Sequence, residues 1–280
     1  MRNCKLGLGL SDSFGISEIE QIELIKKVGF DAFFCVWNPE TMDAVSKAAK
    51  EHNLIFQSIH APFENSADFW GDDIQKGDAA VNRLINCILD CSKHSVPIMV
   101  AHAFIGFKQH TPNKIGLERF ARVIEFAEKT GVKIAFENTE GEEYLFALLQ
   151  EFRNKKTVGF CWDSGHEMCY NRSQDLIRHF GNKLVATHLN DNFGISDKGG
   201  NIFWTDDLHL LPFDGVADWS YNMQRLSRCG YNGILTFELT RKSKPNRHEN
   251  DRYMNMSITE YLSEAYNRAC KVAELFEGCN

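Results

Sequence analysis

Short apolar runs alternate with amphipathic stretches along the whole sequence. KLGLG is followed by helical periodicity around 17–28, DAFFCVW by a helix around 40–52, LIFQSIH by one around 74–95 and PIMVAH by one around 116–130. VKIAFEN precedes a helix around 142–153 and TVGFCWD one around 173–180. LVATHLND leads through a long loop to a helix around 218–229, and ILTFEL through another to a helix around 258–276. A parallel neighbour strand can be reached only by a long crossover, so repeated strand–helix units call for a parallel sheet. Eight such units, about 35 residues each, predict a (β/α)8 TIM barrel of the α/β class. The alternative is an open doubly wound sheet, whose first turn would carry GxGxxG; GLGLS does not match that pattern.

No Pro/Gly/Ser-rich linker or low-complexity tract divides the chain, so residues 1–280 are expected to form a single domain. No run of eighteen apolar residues is present, which argues against a transmembrane helix. The start, MRNCKLGLGLSDSFG, lacks a small-residue cleavage site and does not read as a signal peptide. Nine scattered cysteines without a CxxC pair fit reduced thiols in a cytoplasm better than a disulfide framework. A net charge of −7 argues mildly against a partner held through phosphates, though a local basic groove can coexist with an acidic whole.

In a barrel of this kind, chemistry gathers where the strands end at the C-terminal rim. Strand three ends in His60, strand four in His102, strand five in Glu137 and strand seven in His188. Strand six supplies Asp163 and His166, the loop after strand seven Asp207 and His209, and strand eight Glu238. Taken singly, each has a plainer reading. Asp163 could cap a helix, His60 could bond a backbone carbonyl, and Asp207 could be a loop residue. For Glu137 and Glu238 that reading is poorer, because a carboxylate ending a buried apolar strand is costly without a cation. Five of the ten histidines and four carboxylates on one rim make a metal site the economical reading. The other histidines, at 52, 94, 110, 179 and 248, fall on helices or loops.

The pieces IAFENTEG, CWDSGH, THLND and DLHLLPFDG, in this order, resemble the xylose-isomerase-like TIM barrels. That superfamily includes sugar isomerases and epimerases and the endonuclease IV type of DNA repair enzyme. Resemblance to the sugar enzymes implies one divalent metal ion (Mn²⁺, Mg²⁺, Co²⁺ or Zn²⁺) held by Glu137, Asp163, His188 and Glu238. It also implies proton transfer by Glu137 and Glu238 on opposite sides of a carbon next to a carbonyl. His60, His102, His166, Asp207 and His209 would then bind substrate or additional metal, with Phe63, Trp37 and Phe104 as apolar walls. The partner expected is a small-molecule carbohydrate; self-association into a homo-oligomer stays open. Gly194 stands where epimerases close to this pattern often carry an arginine, which leaves the substrate and the exact reaction undetermined.

Resemblance to endonuclease IV implies instead three Zn²⁺ ions shared by all nine rim residues, attacking a phosphodiester of abasic DNA. The loop after His60 counts against nucleic acid, since Glu64, Asp68, Asp72 and Asp73 precede its first lysine, Lys76. The loop after Glu238 points the other way, with Arg241, Lys242, Lys244 and Arg247. It lies where barrels often bind phosphate, and a sugar phosphate suits it at least as well as DNA. The expectation is therefore a metal-dependent sugar isomerase or epimerase, with the zinc phosphodiesterase as the alternative.

Overall fold

The structure is a computed structural model and describes residues 3–107 and 111–279; His110 lies outside them. Eight parallel strands form one sheet: β1 (Leu6–Gly9), β2 (Ala32–Val36), β3 (Ile55–His60), β4 (Ile98–His102), β5 (Lys133–Glu137), β6 (Val158–Asp163), β7 (Leu184–His188) and β8 (Leu235–Phe237). Neighbours follow chain order, and β1 also pairs with β8. The ring closes just past β7, against β8. Leu189 bridges Phe237 in parallel, Leu189 N donates to Thr236 O at 2.8 Å and Glu238 N donates to Leu189 O at 3.2 Å. This is the (β/α)8 barrel expected from the alternation.

The crossovers are α1 (Glu18–Val28), α2 (Met42–Glu51), α3 (Ile74–Lys93), α4 (Lys114–Thr130) and α5 (Glu142–Glu151). After β6 come α6 (Ser164–Cys169) and α7 (Leu176–Phe180), after β7 comes α8 (Trp219–Arg228), and after β8 come α9 (Asp251–Met254) and α10 (Ile258–Glu277). Local signals start them. Ser17 with Glu20, and Ser257 with Glu260, form capping boxes that satisfy otherwise orphaned N–H groups. Asp73 caps α3 by accepting from Lys76 N at 3.1 Å, so one acid of the loop after His60 has a structural task.

Two elements depart from the sequence expectation. One helix was expected around 173–180, but α6 begins directly after Asp163, whose carboxylate accepts from His166 N at 2.6 Å and starts the turn. Strand β8 is short, leaving Glu238 one residue beyond it.

Side chains alternate along a strand, so every second residue points into the barrel. Met99, Ala101, Ile134, Phe136, Phe160 and Trp162 join the main core between sheet and helices. Ile98, Val100, Ala135, Cys161 and Ala186 form a separate small cluster on the opposite face, the barrel interior. Two residues further along that same inner face stand His102, Glu137, Asp163 and His188. Strand register then levels them, with His102 opposite Glu137 and Asp163 opposite His188. Cys35, Cys87, Cys91, Cys161 and Cys169 are buried thiols. No helix among the described residues is long and apolar enough to cross a membrane.

Candidate metal centre

Glu137, 1% exposed, is the hub of the rim. One carboxylate oxygen lies 3.1 Å from His60 Nε2 and 3.3 Å from His102 Nε2; the other lies 3.0 Å from His188 Nδ1 and 3.5 Å from His166 Nδ1. The same His188 Nδ1 is 2.9 Å from Glu238 Oε2. Two carboxylates thus share one imidazole nitrogen. Asp163 sits beside them, fully buried, with Asn190 Nδ2 donating to its second oxygen at 2.9 Å.

A second group lies alongside. His166 Nε2 is 3.4 Å from Asp207 Oδ1, and His209 Nε2 is 2.9 Å from Asp207 Oδ2. Lys244 Nζ approaches Asp207 at 3.5 Å. The nine residues named from the sequence therefore meet at one rim. Seven line a cavity of about 270 Å³, while Asp163 and His188 are fully buried and not part of its lining. Histidines 52, 94, 179 and 248 are elsewhere, at the ends of α2 and α3, in α7 and before α9.

The protonation balance follows from this crowding. Burial would raise the Glu137 carboxyl, but His188, His102 and His60 outweigh it and hold the group well below the usual range. At the half-buried Glu238 the charges of His188 and His209 outweigh the desolvation and hold the carboxyl down to about 2. Asp163 is pushed up to about 6 by burial, with Glu137 adding to the rise and His166 opposing it. Burial lowers His102. At His166 the charges of Asp163 and Asp207 overcome burial and raise the imidazole well above its ordinary value, and at His209 Asp207 does the same, to about 9.

Hydrogen bonds to the backbone test whether these residues suit a cation. His60 Nδ1 lies 2.8 Å from Ala61 O, His166 Nδ1 3.0 Å from Asn138 O, and His209 Nδ1 3.2 Å from Glu238 O. A carbonyl only accepts, so each Nδ1 carries a proton, and in the neutral ring Nε2 holds a lone pair. Each of those Nε2 atoms faces a carboxylate oxygen. Lone pair against carboxylate is unfavourable unless the ring is protonated or a cation lies between them. Metal-binding histidines are oriented by such second hydrogen bonds. Three donor groups lie within 4.8 Å mutual distance: His60, Glu137 and His188; His166, Asp207 and His209; and Glu137, Asp163, His188 and Glu238. The donor set fits a divalent ion.

Loop residues complete the cavity and had no periodic signal in the sequence. Glu140, Tyr170, Trp204 and Lys244 line it beside Phe63 and Phe107. Glu140 accepts from Gly106 N at 2.9 Å, and burial raises its carboxyl. Of the expected apolar walls, Phe63 is present and stacks on His102 at 4.8 Å. Trp37 is not; its indole donates to Asp90 on α3 at 2.7 Å. Phe104 stacks on Tyr144 at 4.1 Å, outside the cavity. In the loop after Glu238, Arg241 is spent on the carbonyls of Tyr253, Met254 and Met256, and Arg247 on Thr205 O and Asp206. Lys244 is the basic side chain of that loop that lines the cavity.

Comparison with known proteins agrees with this architecture. An uncharacterized protein of Sinorhizobium fredii is 32% identical over 155 residues, 55% of this chain, and the match spans only 42% of that protein. Inosose isomerase of Bacillus velezensis is 23% identical over 242 residues, covering 79% of this chain and 83% of the enzyme. The crystal structure of the IOLI protein with a bound zinc atom superposes with a TM-score of 0.74 at 18% identity, covering 97% of this chain and 99% of that one; the likeness is one of fold. A family profile described as "Xylose isomerase-like TIM barrel" matches residues 22–256. The chain belongs to the xylose isomerase-like TIM-barrel family.

Proposed function

We propose that the rim is the active site of a divalent-metal-dependent isomerase or epimerase acting on a sugar, sugar phosphate or sugar acid. The observation that carries this is Glu137 and Glu238 converging on His188 Nδ1, at 3.0 and 2.9 Å, under a cavity of about 270 Å³. That volume suits a monosaccharide-sized group. Relatives such as inosose isomerase supply the carbohydrate class. Glu137, Asp163, His188 and Glu238 would hold one divalent ion, whose contribution when bound is to polarise a substrate carbonyl and acidify the neighbouring C–H.

Glu238, with its side chain 28% exposed and its carboxyl ionised at neutral pH, is the base that takes the proton. On the other side, at Glu137, a proton handed on from the imidazoles in contact with its carboxylate, His60, His102 and His188, is returned to the substrate. Return to the same carbon gives an epimer, and return to its neighbour an isomer. His60, His102, His166 and His209 bind substrate hydroxyls, and Glu140 and Lys244 add polar contacts at the mouth.

A specific observation favours a second reading. His166, Asp207 and His209 form a donor group of their own, as a trinuclear zinc phosphodiesterase would require. Against it stand the small cavity, the acidic loop after His60 and the commitment of Arg241 and Arg247 to structural bonds. Solvent-deuterium incorporation into a panel of ketoses and keto-polyols separates the two. Exchange that is lost on chelation supports proton transfer. Cleavage of abasic DNA with no exchange on any ketose would replace it by phosphodiester chemistry.

A further inference from the structure

The rim carries two donor groups of unlike charge. In the first, Glu137, Asp163 and Glu238 bring three carboxylates to one imidazole, His188. Among the described residues, the ion-pair partners of those three carboxylates are all histidines. In the second, His166, Asp207 and His209 bring one carboxylate to two imidazoles. Here the chain supplies a cation of its own. Lys244 Nζ lies 3.5 Å from Asp207 Oδ2, and the lysine side chain is only 20% exposed.

Several bonds keep Lys244 in that place. Its N–H donates to Glu249 Oε1 at 2.8 Å, and its carbonyl accepts from Arg247 N at 3.0 Å. Two residues earlier, Lys242 O accepts from the buried Asn250 Nδ2 at 3.2 Å. The ammonium also stands 5.5 Å from the centroid of the Trp204 ring, whose face attracts a cation. The charge is thus directed at Asp207 from a pinned loop.

This charge bears on how many ions the rim accepts. Two imidazoles and a carboxylate are a donor set that suits Zn²⁺, so the second group could hold an ion if its ligands alone decided. With Lys244 present, the ammonium cancels the one carboxylate. A divalent ion there would meet no net negative charge and a positive one close by, and repulsion at such range is strong away from bulk water. The first group, with three carboxylates and no lysine or arginine paired to them, has the opposite balance. We propose that Lys244 restricts the rim to one divalent ion: its ammonium neutralises Asp207, so that His166, Asp207 and His209 take no ion of their own and stay available to substrate hydroxyls. This rests on the one-ion reading of the first group. Lys244 is a positioning residue that acts through Asp207 and moves no proton.

The full chain, stripped of metal with chelator and dialysed, is titrated calorimetrically with Zn²⁺ at neutral pH, and the bound ions are counted by elemental analysis. Wild type should take up one ion. Lys244→Met, which removes the charge and keeps a stem against Trp204, should take up a second, bound about a hundredfold more tightly than wild type binds any ion beyond the first. Lys244→Gln should behave likewise. Lys244→Arg keeps the charge and should stay at one ion. Adding His209→Ala to Lys244→Met should return the count to one, which locates the extra ion in the second group. One ion in wild type and in both neutral variants overturns the proposal and leaves the one-ion reading standing. A second ion in Lys244→Arg, or two ions in the wild type, also overturns it. No ion, or three, in the wild type would remove the one-ion reading and the proposal with it.

Discussion

At the residue scale, the centre is built from imidazoles whose orientation the backbone dictates. His60, His166 and His209 each give Nδ1 to a main-chain carbonyl, and Nε2 is thereby aimed at a carboxylate. Glu238 is the exposed member of the carboxylate pair, so its chemistry can be removed without disturbing the floor. Glu238→Gln should lower turnover by about a thousandfold, within the usual range for a lost general base, while circular dichroism melting stays close to wild type. A variant that keeps its rate would remove Glu238 from the proton path. Most of these residues were legible in the sequence because they end strands, where an inward position recurs every second residue. Lys244 stood out through the basic run after Glu238, whereas Glu140, Tyr170 and Trp204 did not, because they lie in segments with no such period. Trp37 was misplaced for a related reason. It lies just past β2, and nothing local reveals that its indole turns outward to Asp90.

At the element scale, the turn from β6 into α6 does two tasks with one carboxylate. Asp163 caps the helix through His166 N, and this cap carries the imidazole to the rim. The plainer reading of Asp163, a helix cap, and its place at the rim thus coexist in one geometry. The helix is then tied outward by Glu167, which accepts from Trp162 Nε1 at 2.9 Å and from Arg225 of α8 at 2.7 Å. Arg225 is 8% exposed, so Glu167→Gln leaves its buried charge on a single carboxylate partner, Asp175 at 2.9 Å. A loss of about 3 kcal/mol in urea unfolding is expected, and a change under about 1 kcal/mol would show the pair to be dispensable.

The final helix is held differently. Asp214 pairs with Arg268 of α10 at 2.5 Å and contacts Arg252 and Tyr253 of α9. Although burial opposes it, these partners hold its carboxyl below the ordinary value. In acid the unfolded chain therefore binds more protons here than the folded one, and stability rises with pH. The contribution is complete above the unfolded value of about 3.9 and is lost as pH falls through the lower folded value. Asp214→Asn should accordingly be less stable than wild type at pH 7, with the gap closing as pH drops below about 4. A gap independent of pH would deny Asp214 that role.

For the molecule as a whole, the alternation of strands and helices was enough to specify a barrel, since few folds accommodate eight parallel crossovers. What it left out is instructive. Barrel closure runs through Leu189 and Phe237, one bridge past β7, and Lys244 reaches Asp207 from a loop far from it in sequence. Tertiary packing decides both. Clustering so many acids and imidazoles at one end has a global consequence, because a cation that binds only the folded state stabilises all of it. Saturating divalent metal should raise the thermal midpoint by several degrees, reversibly with chelator. No shift with any divalent ion would mean that the rim is a protonated network without a metal.

Metal content per chain, by elemental analysis of protein purified without chelator and dialysed against metal-free buffer, tests the central claim most directly. One divalent ion per chain, absent from the Asp163→Asn variant, is the predicted result. Three zinc ions per chain would contradict it and assign the rim to phosphodiester cleavage.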